Sequence, residues 1–203
     1  MDKGRLLVIS GPSGAGKGTI CKKIIDEMED LVLSISMTTR ARREGEVHGE
    51  SYFFVTTDEF EQIRQEEGFL EHACVYGNYY GTPKKKVMEM LNAGKDVVLE
   101  IDIQGAMNIK KAYPEGVFIF IVPPSMTELR KRITGRGTDS ASAIELRLSE
   151  ALSEIAYMDK YDYCVVNGEL EEAAARVKSI IIAEHSKVTE DVYKIIEKYK
   201  EEI

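Results

Sequence analysis

Gly11-Pro12-Ser13-Gly14-Ala15-Gly16-Lys17-Gly18-Thr19 sets loop glycines and a lysine at the spacing of a phosphate cradle. It follows the apolar run Leu6-Leu7-Val8-Ile9 and leads into a helix-forming segment. Glycines let such a loop turn back so that successive backbone N–H groups converge on phosphate oxygens. The helix adds its positive N-terminal end and Lys17 a full charge. A nucleoside triphosphate is the ligand that suits this chemistry; a flexible turn with a solvated lysine is the alternative. Ser or Thr usually follows the lysine and holds Mg²⁺, but here Gly18 stands there with Thr19 one step on, which weakens the case for metal contact by Thr19.

Three further groups could do chemistry beside it. Ser36-Met37-Thr38-Thr39-Arg40-Ala41-Arg42-Arg43, followed by Tyr52, offers planar guanidinium forks and a hydroxyl to a second phosphate, or else forms a solvated loop. Glu100 and Asp102 stand two apart at the end of an apolar run, where a strand would put both on one face. Two acids there are costly unless a metal or ligand N–H groups neutralise them, or unless the strand ends early and both are exposed. Glu71 is a third carboxylate, and a salt bridge would explain it as well as a ligand. Arg130, Arg132, Arg136 and Arg147 lie in a segment with glycines between helical patterns, which reads as a hinged helical lid or a solvated charged helix. Mobile arginines closing over a transferring phosphoryl group would neutralise it and exclude water. Tyr52, Tyr79 and Tyr80 are placed to close over a phosphate or to pack, whereas His48, His72 and His185 have no metal-ligand spacing.

The elements that must position these groups follow an α/β rhythm. Apolar runs at Arg5–Ser10, Val97–Ile101, Val117–Val122 and Tyr163–Val166 alternate with helix candidates at Gly18–Met28, Pro83–Asn92, Gln104–Ala112, Thr127–Ile133 and Leu170–His185. This predicts a parallel sheet flanked by helices, with ligands beyond the carboxyl ends of the strands. Between Leu33 and Thr82 the rhythm breaks into short strands, at Ser34–Ser36, Tyr52–Val55 and Cys74–Gly81, with a helix near Thr57–Glu66. Glu184–Ile203 is charged and helix-prone, with an apolar stripe expected to pack on the core or a partner. The 203 residues, 43% hydrophobic, suffice for one well-buried core. A net charge of −8 argues against nonspecific nucleic-acid binding. The absence of an apolar leader or spanning stretch predicts a cytoplasmic protein without membrane partners. Cys21, Cys74 and Cys164 form no pair motif, and buried thiols are expected.

From about Arg5 to about Ala183 the chain resembles the guanylate kinases, nucleoside monophosphate kinases that phosphorylate GMP with ATP. The resemblance rests on Gly-Pro-Ser-Gly-Ala-Gly-Lys at 11–17, the run from Ser34 to Tyr52, Gly-Asn-Tyr-Tyr-Gly-Thr at 77–82, Glu-Ile-Asp-Ile-Gln-Gly at 100–105 and Gly-Arg-Gly-Thr at 135–138. It implies a P-loop core (1–33, 83–126 and 156–203), a GMP-binding domain of mixed strands and helix (34–82) and a lid (127–155). It further implies Mg²⁺-dependent transfer from ATP to GMP or dGMP in purine metabolism, and leaves a homo-oligomer open. Arg40, Arg43, Tyr52 and Tyr80 would hold the GMP phosphate, with Glu71, Ser36 and Thr82 on the guanine edge. Lys17, Arg136 and Arg147 would neutralise the transferring group, and Arg132 and Asn167 would lie near ATP. Asp102 and Glu100 would contact guanine or hydrated Mg²⁺. Gly18 and Thr82 depart from the hydroxyl residue and the serine common in the family. A kinase for a ribose phosphate and a noncatalytic phosphopeptide-binding module are the rival readings.

Overall fold

The computed structural model describes residues 3–75, 77–135, 141–188 and 192–202. Along the chain run β1 (Leu6–Ser10), α1 (Lys17–Glu27), β2 (Leu31–Leu33), β3 (Met37–Thr38), β4 (Phe53–Phe54), α2 (Thr57–Gln65), β5 (Phe69–Val75), β6 (Asn78–Pro83) and α3 (Lys84–Asn92). There follow β7 (Asp96–Glu100), α4 (Ile103–Ala112), β8 (Val117–Val122), α5 (Met126–Thr134), α6 (Ala141–Ile155), β9 (Tyr163–Val166), α7 (Leu170–His185) and α8 (Val192–Glu201).

Five strands pair in parallel in the order β2-β7-β1-β8-β9. Helices cover both faces, so the alternation of side chains along β1 feeds two cores rather than one core and solvent. Leu7 and Ile9 pack with Ile20 and Ile24 of α1 and with Val177 and Ile181 of α7. Leu6 and Val8 pack with Val87 and Leu91 of α3 and with Ala106 and Ile109 of α4. Every residue of β1 and β8 is buried, which is why both strands read as unbroken apolar runs. Burying each such side chain stabilises the fold by about 1.5–3 kcal/mol. The central strand therefore holds its carboxyl end, and the loop after it, rigidly.

The second sheet, β4-β3-β6-β5, joins a parallel β3/β4 pair to antiparallel partners. Ser34–Ser36, expected as a strand, instead carries the chain between the two sheets. The apolar Leu31–Leu33 just before it pairs with β7 on the large sheet, and the Ser34 amide donates to the Val98 carbonyl. The β5/β6 hairpin turns at Gly77, whose φ of 77° suits glycine. One face of this sheet is closed by Phe60 of α2, stacked between Phe69 and Tyr79 with centroids 4.5 and 5.4 Å away. A capping box between Thr56 and Glu59 starts α2 and so fixes where Phe60 lands.

After β8 the chain leaves the core through α5, capped by Ser125, and returns along α6. The two helices pack through Leu129, Ile133, Leu148 and Ala151, and Arg130 forks onto Glu145. At the carboxyl terminus α7 ends at His185, whose Nε2 lies 2.6 Å from the Asp96 carboxylate. The apolar stripe beyond does not reach the core: Tyr193, Ile195, Ile196 and Tyr199 of α8 are exposed. Of the cysteines only Cys21 is buried; Cys74 and Cys164 are exposed, each on the edge strand of its sheet, β5 and β9. Phe60→Ala should destabilise the protein by about 3–5 kcal/mol, the usual cost of deleting a buried ring. Chemical denaturation would measure it, and a loss below 1 kcal/mol would show that the stack does not hold the small sheet.

Candidate active site

The loop between β1 and α1 is held by close contacts with the β8 backbone and with Asn167 beyond β9. Gly11, at φ 143°, passes so near β8 that a Cβ would lie 2.1 Å from the Ile121 carbonyl oxygen. Gly16 caps α1 at φ 90°, and a Cβ there would meet the Asn167 amide nitrogen at 2.3 Å. Asn167, just past β9, donates from Nδ2 to the Ala15 carbonyl at 2.7 Å. The loop is thus fixed with its amides and the positive end of α1 facing one side. Lys17 folds back over it, donating from Nζ to the carbonyls of Gly11 (2.6 Å) and Pro12 (3.1 Å). Burial pulls the Lys17 pKa below the usual lysine range, and the carboxylates of Glu100 and Glu154 oppose that fall.

This loop opens on a cleft of about 780 Å³ between the large sheet, the small sheet and α6. Ser13 and Lys17 of the loop line it together with Ser36, Tyr52, Glu71 and Tyr80 and with Glu100, Asp102 and Arg147. Glu71 on β5 is only 8% exposed, and Thr82 of β6 donates its hydroxyl to Glu71 Oε1 at 2.7 Å. Its other oxygen rests on the first turn of α4, where a Cβ on Gly105 would lie 3.0 Å away. Burial pushes the Glu71 pKa up to about 7; the Thr82 bond counters this and the Asp102 carboxylate adds to it. Asp102 does not share the strand with Glu100. β7 ends at Glu100, and Asp102 caps α4 by accepting the Gly105 amide at 2.7 Å, because a carboxylate just before a helix satisfies its orphan donors. Both acids nevertheless face the cleft. Glu100 is open to the cleft, yet the walls around it raise its pKa, with Lys17 pulling the other way.

Beside the cleft, Arg40 is held by Glu46 at 2.6 Å and lies over the Tyr52 ring, 5.5 Å from its centroid, while Tyr52 and Tyr80 meet edge to face. Arg43 is exposed on the loop, where its backbone N–H donates to Glu46. Thr82 is wholly buried behind Glu71 rather than on the cleft wall. Tyr79 serves packing against Phe60. On the other side of the loop, Gly14, Gly16, Thr19, Arg132 and Asn167 line a separate cavity of about 300 Å³. Glu128 and the Asn167 carbonyl orient Arg132 there, each at 3.0 Å. Thr19 therefore sits apart from the cleft-lining Glu100 and Asp102. Arg136 and Gly137 lie outside the described residues.

Sequence reasoning overlooked Glu154 and Glu150, which bring α6 carboxylates into the cleft. The available signal was spacing: Arg147, Glu150 and Glu154 fall three and four apart, one face of a helix. The whole arrangement can receive two anionic ligands end to end, one in the loop's amides and one by the tyrosines, with a hydrogen-bonding carboxylate at the far wall.

Glu71 binds its proton more tightly folded, at about pH 7, than an ordinary glutamate near 4.5. Between those values the folded state holds a proton that the unfolded state has released, so stability falls as pH rises across that window. The Glu71→Gln variant should lack this component, and wild type should lose stability relative to it from pH 5 to pH 8. Parallel melting curves of the two proteins that stay a constant distance apart would contradict the assignment.

The family model described as guanylate kinase matches residues 3–184. The guanylate kinase of Clostridium acetobutylicum is 56% identical over 92% of this chain and 88% of its own. That of Clostridioides difficile is 51% identical over 99% and 98%. The crystal structure of guanylate kinase from Anaplasma phagocytophilum superposes with a TM-score of 0.80 at 36% identity, covering 97% of this chain and 95% of that one. A chain that follows these proteins almost from end to end, in sequence and in fold, belongs to the guanylate kinase family.

Proposed function

We infer that this protein transfers the γ-phosphoryl group of ATP to GMP, giving ADP and GDP. The observation that carries the substrate choice is Glu71, a buried carboxylate set across the same cleft from Lys17. Guanine presents two donors on one edge, N1–H and the 2-amino group, and a carboxylate can accept both. Adenine offers a lone pair at N1, so the buried acid would be left facing an acceptor. Accepting the guanine donors favours the ionised form, and GMP would thereby lower the raised pKa of Glu71. Ser36 and Thr82 complete the guanine edge, the second through its bond to Glu71. Arg40, Arg43, Tyr52 and Tyr80 take the GMP phosphate, with Arg43 swinging in from the loop. The same contacts fit dGMP, since none of them needs a 2′-hydroxyl.

In this reading ATP lays its phosphates in the loop Gly11–Thr19 and its nucleoside in the cavity by Arg132 and Asn167. An oxygen of the GMP phosphate attacks the γ-phosphorus in line as the bond to the β-phosphate oxygen breaks. No protein nucleophile is needed, and the protein's work is positioning and neutralising charge. Lys17, Arg147 and Arg136 supply the positive charge. Glu100 and Asp102 present hard oxygen donors to the same cleft, a chemistry that fits Mg²⁺ held through water and by the nucleotide's phosphates. When bound, the ion shields the phosphate charge. We assign residues 34–82 to GMP binding and 127–155 to a lid, both closing on the core of 1–33, 83–126 and 156–203. Among the described residues no helix is long and apolar enough to cross a membrane. With two water-soluble substrates, the cytoplasm is the compartment this reading assigns.

ADP release from Mg·ATP should be rapid with GMP and at background with AMP, CMP, UMP or ribose bisphosphate. Tight GMP binding without turnover would instead favour a binding module, and turnover with a ribose phosphate the other rival. Glu71→Ala should lower kcat/KM for GMP by roughly 10³-fold or more while AMP stays near its former value. Lys17→Ala should abolish transfer yet leave GMP affinity within about twofold, since Lys17 meets the other ligand; a calorimetric titration beside the turnover assay tests the split.

A further inference from the structure

Arg40 and Arg43 stand at the two ends of a short turn whose residues 41–45 are all exposed. Arg40 starts from a firm base. Its N–H donates to Thr38 Oγ1 at 3.1 Å, and Thr38 is buried in β3 with its hydroxyl on the Tyr79 carbonyl. Arg43 has no such base: among the described residues it is bonded only to Glu46, its N–H donating to Oε2 at 2.8 Å and its carbonyl accepting the Glu46 N–H at 3.3 Å. Gly45, at φ 81°, turns the chain so that Glu46 folds back onto it. The other carboxylate oxygen, Oε1, accepts from Arg40 Nη2 at 2.6 Å, and the two side chains are only 13% and 21% exposed. One carboxylate thus ties the side chain of the first arginine to the backbone of the second.

We propose that Glu46 is a positioning residue for the acceptor phosphate, fixing the spacing from which Arg40 and Arg43 reach it. This rests on the reading of both arginines as GMP phosphate ligands. Two observations favour positioning over competition with the phosphate for Arg40. Both Glu46 oxygens are committed to the loop's own groups, so the carboxylate travels with the loop and is part of it. The guanidinium has five N–H groups, of which Glu46 takes one and the Ala41 carbonyl, 2.8 Å from Nη1, another. Even with the Tyr80 hydroxyl drawing on a third, donors remain for a phosphate. The Tyr52 and Phe54 rings, with centroids 5.5 and 5.9 Å from Arg40 Cζ, flank the fork and narrow its freedom further. An arginine already held in place loses less freedom on binding, and that saving appears as affinity for the phosphate alone.

The test is calorimetric titration of GMP, guanosine and ADP into wild type, Glu46→Gln and Glu46→Ala. Guanosine has the base without the phosphate, and ADP, which belongs to the glycine loop, reports that the variants are folded. Glu46→Ala should weaken GMP about tenfold or more, while guanosine and ADP stay within about twofold. Glu46→Gln keeps one acceptor oxygen and should fall between, and it decides the matter if Glu46→Ala loses ADP as well. Equal losses for GMP and guanosine would make Glu46 a general support of the small sheet, and tighter GMP would make it a competitor for Arg40. Either result, or an unchanged GMP affinity, would overturn the positioning role. Wild type binding GMP no better than guanosine would instead overturn the reading of the arginines as phosphate ligands, and this inference with it.

Discussion

The loop from Gly11 to Gly16 can face an anion only while its backbone is held in a shape that most residues cannot adopt. Gly11 is pressed against the Ile121 carbonyl of β8, Gly16 against Asn167 beyond β9, and Asn167 ties back to Ala15. Those supports come from strands on one side of β1, and β1 is itself gripped by two apolar cores. Sheet order and side-chain packing thus set the direction of a few N–H groups. An error of an ångström in β8 or β9 would reach the phosphate site directly, because packed interiors transmit strain rather than absorb it.

Charge within the cleft is arranged against the balance of the whole molecule. The chain carries a net −8, yet its site must take two polyanions. Positive charge is concentrated at Lys17, Arg40 and Arg147, and each of the first two already answers to a carboxylate: Lys17 to Glu100 and Glu154, Arg40 to Glu46. Glu100 and Glu154 oppose the fall that burial imposes on the Lys17 pKa, a role that ligand phosphates can later take over. Glu71 follows the opposite logic. Its surroundings raise its pKa to about 7, so a ligand that donates two hydrogen bonds finds a group poised to ionise. In the proposed reading this acid selects its ligand because the empty site disfavours its charged form.

The two sheets divide these tasks. The large sheet holds the loop and the β7 acid, while the small sheet, folded around Phe60, brings Glu71, Tyr52 and Tyr80 across from it. Residues 34–36 join them without pairing into a strand of their own. The helix pair α5 and α6 forms the third wall and has a separate apolar contact of its own. Leu70 of β5 and Ile155 of α6 pack into the apolar clusters of the large sheet, so both walls are anchored on it.

Much of this was legible in the chain because it depends on local order. The apolar runs of β1, β7, β8 and β9 and the glycines of 11–16 act over a few residues, and their meaning survives without neighbours. Short β-elements were harder: Leu31–Leu33 is a strand because β7 pairs along it, whereas Ser34–Ser36, crossing between the sheets, makes only single backbone bonds to Val98 and Phe53. Asp102 looked like a strand residue by spacing, whereas the turn into α4 makes it a cap. Helical spacing alone put Glu154 on the face of Arg147, but only the return path of α6 brings it to the cleft that Ser13 and Lys17 also line. The sequence by itself determined the residue types and the elements that carry them, since backbone propensity and periodicity are local. Tertiary structure alone decided which charges meet, which acids are buried and which stripes, like that of α8, stay uncovered. Those depend on distances between residues far apart in the chain, and no short window of sequence contains them.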